Sequence, residues 1–268
     1  STNIHNRNFK WNTNFVLSYY RNYYVKRDAN YVLGINETQR QDVNDMWQYV
    51  VDGMIPAGNP NAGALKFKDL NGYLRDDSGN IVMVNGKPAY SGSPDGMIDE
   101  ADMIYKGNST PIPFSLNNSF EFGKFDVNVY FYGMFNNWQK NSTYTMFAGN
   151  LQNVALYGEN TLKSLANRWS YDNLNSSIPS IFAHVESTAA QRNGYYLEKA
   201  WFLRCDNVSL GYTFKTKKSN KYFSSLRVYA AARNLFVITP YSGSDPETDS
   251  QAAYPNSRTY TFGIDITF

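Results

Sequence analysis

The stretch Arg258-Thr259-Tyr260-Thr261-Phe262-Gly263-Ile264-Asp265-Ile266-Thr267-Phe268 decides the fold class. Tyr260, Phe262, Ile264, Ile266 and Phe268 share one parity; Thr259, Thr261, Gly263, Asp265 and Thr267 share the other. Successive side chains of a β-strand point to opposite faces, so one face here is wholly apolar and the other small or polar. A soluble sandwich would bury the apolar face against a second sheet. A membrane barrel would turn it to lipid and keep the polar face in a wet lumen.

A chain that closes on an alternating strand with a final Phe resembles the C-terminal signal of bacterial outer-membrane barrels, which tips the reading toward the membrane. The composition agrees. No apolar run approaches the roughly 18 residues of a membrane helix, yet barrel strands are apolar only at alternate positions and look hydrophilic on average, as this chain does. The 22 Tyr and 17 Phe suit a membrane–water boundary, where a ring is in apolar surroundings and its polar tip is wet. A net charge of +2 argues against nucleic acid as a partner. The basic cluster Lys215 to Lys221 reads as a solvated turn. Cys205 is the only cysteine, which excludes an internal disulfide, and His5 and His184 are far apart. Ser1 begins the sequence with no signal peptide, so a processed or partial polypeptide is expected.

Working back from the end, the alternation predicts about seven strands: 9–19, a weaker one at 45–55, a hairpin over 114–135 turning at Gly123-Lys124, a strand from near Lys199 to Phe214, one over 226–233, and 258–268. The connections are unequal. Gly123-Lys124 and 215–224 are short; 56–112, 136–196 and 239–257 are long. With Phe268 at the periplasmic side, counting back puts every long connection, and Ser1, outside the cell, as outer-membrane barrels are built. Two loops near 60 residues are rare in soluble sandwiches. Within 136–196, Asn160 to Trp169 has helical spacing, read as a loop packed by Leu162, Leu165 and Trp169.

Four segments carry a family resemblance. Lys66-Phe67-Lys68-Asp69-Leu70-Asn71-Gly72 with Asp95-Gly96-Met97-Ile98-Asp99-Glu100-Ala101-Asp102 forms an acidic loop. Ser119 to Val127 is the hairpin that follows. Trp201 to Thr213 is the third segment. The fourth runs from Leu226-Arg227-Val228-Tyr229 through Arg233-Asn234-Leu235-Phe236, Asp245-Pro246-Glu247 and Tyr254-Pro255 to the final strand. In this order they resemble the C-terminal part of SusC-like TonB-dependent transporters, the outer-membrane nutrient importers of Bacteroidetes. One departure is an apparent insertion of roughly residues 73–94 into the acidic loop. The resemblance implies an all-β, antiparallel transmembrane barrel of about 22 strands, of which this chain supplies the last seven or so. It also implies a plug domain and further strands on another polypeptide or segment, a SusD-like surface lipoprotein as lid, the TonB complex as energy source, and outer-membrane lipid around the wall. The cargo would be an oligosaccharide or a peptide. A secreted carbohydrate-binding sandwich and a passive porin are the alternatives.

The joined acidic loop places Asp69, Asn71, Asp95, Asp99 and Asp102 at the oxygen-rich spacing of a calcium loop; without the join, a rigid acidic loop with no metal is the reading. No cofactor is otherwise expected. No carboxylate pair is set beside a base or nucleophile, so an enzyme is not expected. Trp138, Trp169, Tyr171 and Tyr241 are loop aromatics available to stack on a sugar face or touch the lid, the alternative being loop packing or an aromatic girdle. Asp126, Asn128, Tyr130 and Tyr132 are the lumen candidates.

Overall fold

The computed structural model describes residues 1–26, 40–141, 162–180, 194–215, 223–248 and 256–268. In chain order the strands are β1 (Thr2–His5), β2 (Phe9–Leu17), β3 (Asp45–Gln48), β4 (Val51–Met54), β5 (Leu65–Phe67), β6 (Met83–Val84), β7 (Lys87–Pro88), β8 (Ile104–Asn108), β9 (Ile112–Phe122), β10 (Phe125–Phe135), β11 (Trp138–Lys140), β12 (Leu197–Lys199), β13 (Phe202–Lys215), β14 (Ser225–Ile238) and β15 (Thr259–Thr267). Two single-turn 3-10 helices, Glu100–Asp102 and Lys163–Asn167, are the helical elements among the described residues. No helix there is long and apolar enough to cross a membrane.

Seven strands form one antiparallel sheet in the order β1-β2-β9-β10-β13-β14-β15. Its register aligns the apolar parities of neighbouring strands. Phe9, Trp11, Phe15 and Leu17 of β2 lie opposite Phe122, Phe120, Leu116 and Phe114 of β9. Those pair on with Phe125, Val127, Phe131 and Gly133 of β10. Leu210, Tyr212 and Phe214 continue the face on β13, and Ala230, Val228 and Leu226 on β14. Phe262, Ile264 and Ile266 end it on β15. The apolar face is therefore continuous across six strands, and it is uncovered: Phe262 is 83% exposed and Ile264 63%. Asn118 and Thr13 are polar intrusions on this face. They satisfy each other, since the Thr13 hydroxyl and the Trp11 indole N–H both donate to Asn118 Oδ1, at 2.7 and 3.0 Å.

The opposite face is polar and stitched across strands. Asp126 of β10 lies opposite Gly211 of β13, which lies opposite Tyr229 of β14 and then Gly263 of β15. The two glycines make room. Arg227 reaches diagonally over Gly211 to hold Asp126 through two hydrogen bonds, 3.0 and 2.6 Å, and donates to Asp265 at 2.9 Å. A Cβ on Gly211 would stand 2.5 Å from Asp126 Oδ1 and 2.6 Å from Arg227 Nε. The ring of Tyr229 covers Gly263, and the Arg227 guanidinium stacks on that ring at 4.9 Å. A strand glycine marks close approach by another group, and both do so here.

The strand directions put residues 6–8, Gly123-Lys124 and the 215–225 connection at one rim, and 18–111, 136–201 and 239–258 at the other. Short and long connections are thus segregated. One expectation needs correcting. The weak strand at 45–55 is not in the main sheet: β3 pairs with β8 and β4 with β5, inside the excursion between β2 and β9. Its place is taken by β1, too short and polar to signal itself, which pairs with β2. The exchange keeps the count at seven and leaves Ser1 on the long-loop side. Among the described residues β1 and β15 each pair on one side only.

Gly211→Val is expected to push Arg227 off Asp126 and destabilise the sheet by about 1–3 kcal/mol. A thermal midpoint in detergent equal to that of the parent protein would contradict this role for Gly211.

Candidate functional site

The chemistry-bearing residues gather at the long-loop rim. Arg204 of β13 is 2% exposed and Asp245, in the connection 239–258, is 4% exposed. The guanidinium Nη2 donates to both Asp245 oxygens at 2.8 and 3.0 Å, and Nη1 donates to Asn234 Oδ1. Glu247 Oε2 stands 2.5 Å from Arg204 Nε but off the N–H direction, so this contact is an ion pair without a hydrogen bond. The Tyr132 hydroxyl donates to Glu247 at 2.8 Å. Asn234 has φ +51, at the point where β14 bulges against β13. That turn lets its amide also donate to the carbonyls of Asn256 and Ser257, at 2.6 and 3.2 Å. Asn256 in turn donates to Asp245. A buried ion pair is costly unless its remaining donors and acceptors are met, and Tyr132, Asn234 and Asn256 meet most of them. This knot explains the third and fourth motif segments: Arg204, Asn234, Asp245 and Glu247, scattered in sequence, tie the last outer connection to the barrel wall. Spacing gives no signal for it, since the charges lie 41 residues apart. Beside it, Tyr132, Arg204, Asp206, Arg233, Asn234 and Thr259 line an open polar recess of about 320 Å³.

The two halves of the acidic loop do meet, across the hairpin that separates them in sequence. Tyr73 and Tyr90 bridge and stack, with ring centroids 6.2 Å apart, closing 73–90 on itself. Its tip at Asn85-Gly86 has positive φ at both residues, as a tight type I′ turn requires. The carboxylates then serve backbone N–H groups. Asp102, fully buried, accepts from Leu70, Asn71 and Asp99 at 2.6, 3.1 and 2.9 Å. Asp69 accepts from Asp95 and Gly96, Asn71 from Gly72 and Gly92, Asp95 from Met97, and Asp99 from Ala101. Among the described residues no group of three or more Asp, Glu, His or Cys is placed to hold a metal ion. Asp69, Asn71, Asp95, Asp99 and Asp102 thus each accept from at least one backbone N–H of the loop. Burial, then the neighbouring charges of Asp99 and Glu100, push the Tyr90 hydroxyl up to about 12. Burial, with Asp102 and Asp95 adding to it, raises the Asp99 carboxyl above the ordinary range.

The four loop aromatics separate. Trp169 is buried, with its ring over Gly63, and Tyr241 is buried against Gly243. Both hold loops together, which takes them out of the set open to a ligand. Tyr171 is 72% exposed and packs edge-on to Trp169 at 5.4 Å. Trp138 is half-buried under the Lys199 ammonium, 5.7 Å from its ring. Within 160–169 the described residues form a 3-10 turn packed by Leu165 and Trp169. His184 and most of the basic cluster, residues 216–221, lie outside the described residues. On the polar sheet face, Asp126 and Tyr132 are engaged as above.

Arg204→Met is expected to free the connection 239–258, with protease cleavage there at enzyme levels that leave the parent intact; equal resistance would contradict the anchoring role. A second expectation concerns the segment 21–24. Asp42, 2% exposed, accepts from Arg21 and the Asn44 amide, both at 2.9 Å. Burial opposes its ionisation, yet these donors hold its carboxyl below the ordinary carboxylate range. A depressed folded-state pKa contributes stability above the unfolded value of about 3.9 that is lost as pH falls through the folded one. The Tyr24 and Val43 amides, which close this contact, should lose hydrogen-exchange protection below that range; unchanged protection from neutral pH to acid would rule it out.

No family model matches the chain. It is 29% identical over 194 residues to the TonB-dependent receptor SusC of Bacteroides thetaiotaomicron, covering 69% of this chain and 18% of that protein. It is 25% identical over 298 residues to the TonB-dependent receptor P3 of Formosa agariphila, covering all of this chain and 28% of that protein. Among solved structures, the RagAB peptide transporter superposes with a TM-score of 0.67 at 20% identity, over all of this chain and 28% of that one. The RagAB peptide importer in its closed-closed state gives 0.63 at 22%, again over all of this chain and 28% of that one. The chain thus spans well under a third of the length of these proteins, and the structural likeness fixes the fold as a portion of such a barrel.

Proposed function

We propose that this chain, which is similar in sequence to SusC and other TonB-dependent receptors, forms the C-terminal part of the barrel of an active importer in a bacterial outer membrane. The observation that carries this reading is the uncovered apolar face, continuous over six strands, backed by a polar face. β9 and β10 are 11 residues each, the length a tilted strand needs to cross hydrocarbon, about 9–11 residues. A sandwich would cover that face with a second sheet; Phe262 and Ile264 instead stand open.

In this reading a further N-terminal segment or polypeptide supplies the remaining strands and the plug, and pairs with the free edges of β1 and β15. A SusD-like surface lipoprotein closes over the long connections, and the TonB complex acts through the plug. The cargo is an oligosaccharide or a peptide. The lumen wall, with Asn12, Asn14, Asn117 and Ser119 in neighbouring register, presents amides and hydroxyls that hydrogen-bond either class. The named relatives are receptors and transporters rather than enzymes, in keeping with a wall that binds and passes cargo. No cofactor enters this reading.

Deleting the region of residues 1–268 from the receptor in its host should abolish uptake of labelled oligosaccharides or peptides, and inactivating TonB should do the same. Uptake that persists without TonB would point to a passive pore. Recovery of the segment as a folded, monodisperse species in detergent-free buffer would refute the membrane reading.

A further inference from the structure

We propose that the short-turn rim is a binding surface for anionic lipid headgroups, an inference that rests on the membrane reading above. The described residues of the three turns at this rim are 6–8, Gly123-Lys124, Lys215 and 223–224. They include Arg7, Lys124 and Lys215 and no Asp or Glu. All three cations are exposed, and none has a carboxylate partner among the described residues.

The acids nearest this rim are committed to the other side of the wall. Glu121 holds Lys10 at 2.8 Å, and Asp126 and Asp265 share Arg227 at 2.6 and 2.9 Å, all on the lumen face. They leave the rim cations without internal counter-charge.

On the apolar face the same strand ends carry a chain of rings. Phe122 and Phe125 are 5.3 Å apart, Phe125 and Tyr212 4.7 Å, and Tyr212 and Phe214 4.6 Å. Lys124 Nζ lies 5.9 Å above the Tyr212 ring. From the strand centre outward the order is aliphatic, aromatic, cationic. That is the order in which a leaflet presents hydrocarbon, interface and phosphate. The long-connection rim mixes both signs and closes them in pairs, such as Arg21 with Asp42 and Lys66 with Asp52. The charge complementarity therefore selects one leaflet, the one at the short turns, and one chemistry, a lipid phosphate.

The test uses the intact receptor that carries this segment, reconstituted in nanodiscs of mixed phosphatidylcholine and phosphatidylglycerol, with co-purifying lipid quantified after detergent extraction. The expected result is enrichment of phosphatidylglycerol around the parent protein, falling as salt is raised. Arg7→Gln, Lys124→Gln and Lys215→Gln should each reduce the preference about fivefold, and the triple variant should abolish it with the thermal midpoint unchanged. Lys106→Gln, on the opposite rim, should leave it intact. Equal lipid ratios around the parent and triple variant would overturn the proposal. So would stripping of the lipid by inorganic phosphate, which would assign the cations to a soluble anion. If the receptor incorporates but shows no preference, this inference alone falls; if it cannot be incorporated at all, the membrane reading falls with it.

Discussion

A backbone N–H or C=O left without a partner in hydrocarbon costs several kcal/mol, and in the barrel proposed above that penalty organises the rest of the molecule. It accounts for the seven strands of the main sheet forming one antiparallel ladder. It confines irregular backbone to the two rims, where water is available. It also accounts for the rarity of polar atoms on the apolar face: where Thr13 and Asn118 do intrude, they bond to each other and to Trp11. The unpaired edges of β1 and β15 are the remaining violation. In the proposed barrel, strands supplied from elsewhere would close the wall and remove it.

The two sheet faces solve different problems. Toward lipid, aromatic and branched side chains stand side by side in register and need no specific partners. On the polar face, Lys10 and Arg227 are held by carboxylates on other strands, and glycine supplies the space. Gly211 lets Arg227 and Asp126 meet over β13, and Gly263 lets Tyr229 lie flat on β15. Replacing side chain with space in two strands therefore links four strands by electrostatics and stacking.

The alternation of β2, β9, β10, β13, β14 and β15 was legible because each has one largely apolar parity, a signal that needs no knowledge of partners. β1 was not legible: in Thr2-Asn3-Ile4-His5 it carries one aliphatic residue, and it is a strand because β2 offers it an edge. The 45–55 segment misled for the converse reason. Its Trp47, Tyr49 and Val51 share one parity, but Trp47 and Tyr49 serve a small core with Phe67 and Met103 inside the excursion. Asn71-Gly72 and Asp95 come together in space across residues 73–94, with Asp95 lying over Gly72. What those oxygens hold was harder to read, because backbone amides leave no mark in a sequence. Of the aromatic candidates, Trp169 and Tyr241 could not be told from Tyr171, since burial in a loop depends on contacts distant in sequence.

Gly63 connects the two largest outer connections. The ring of Trp169 sits on it, and the Ser180 N–H donates to its carbonyl at 2.8 Å. A side chain at this position would dislodge both contacts. Gly63 of the excursion after β2 is thereby held against Trp169 and Ser180 of the excursion after β10, so substitution of one glycine would loosen contacts in both.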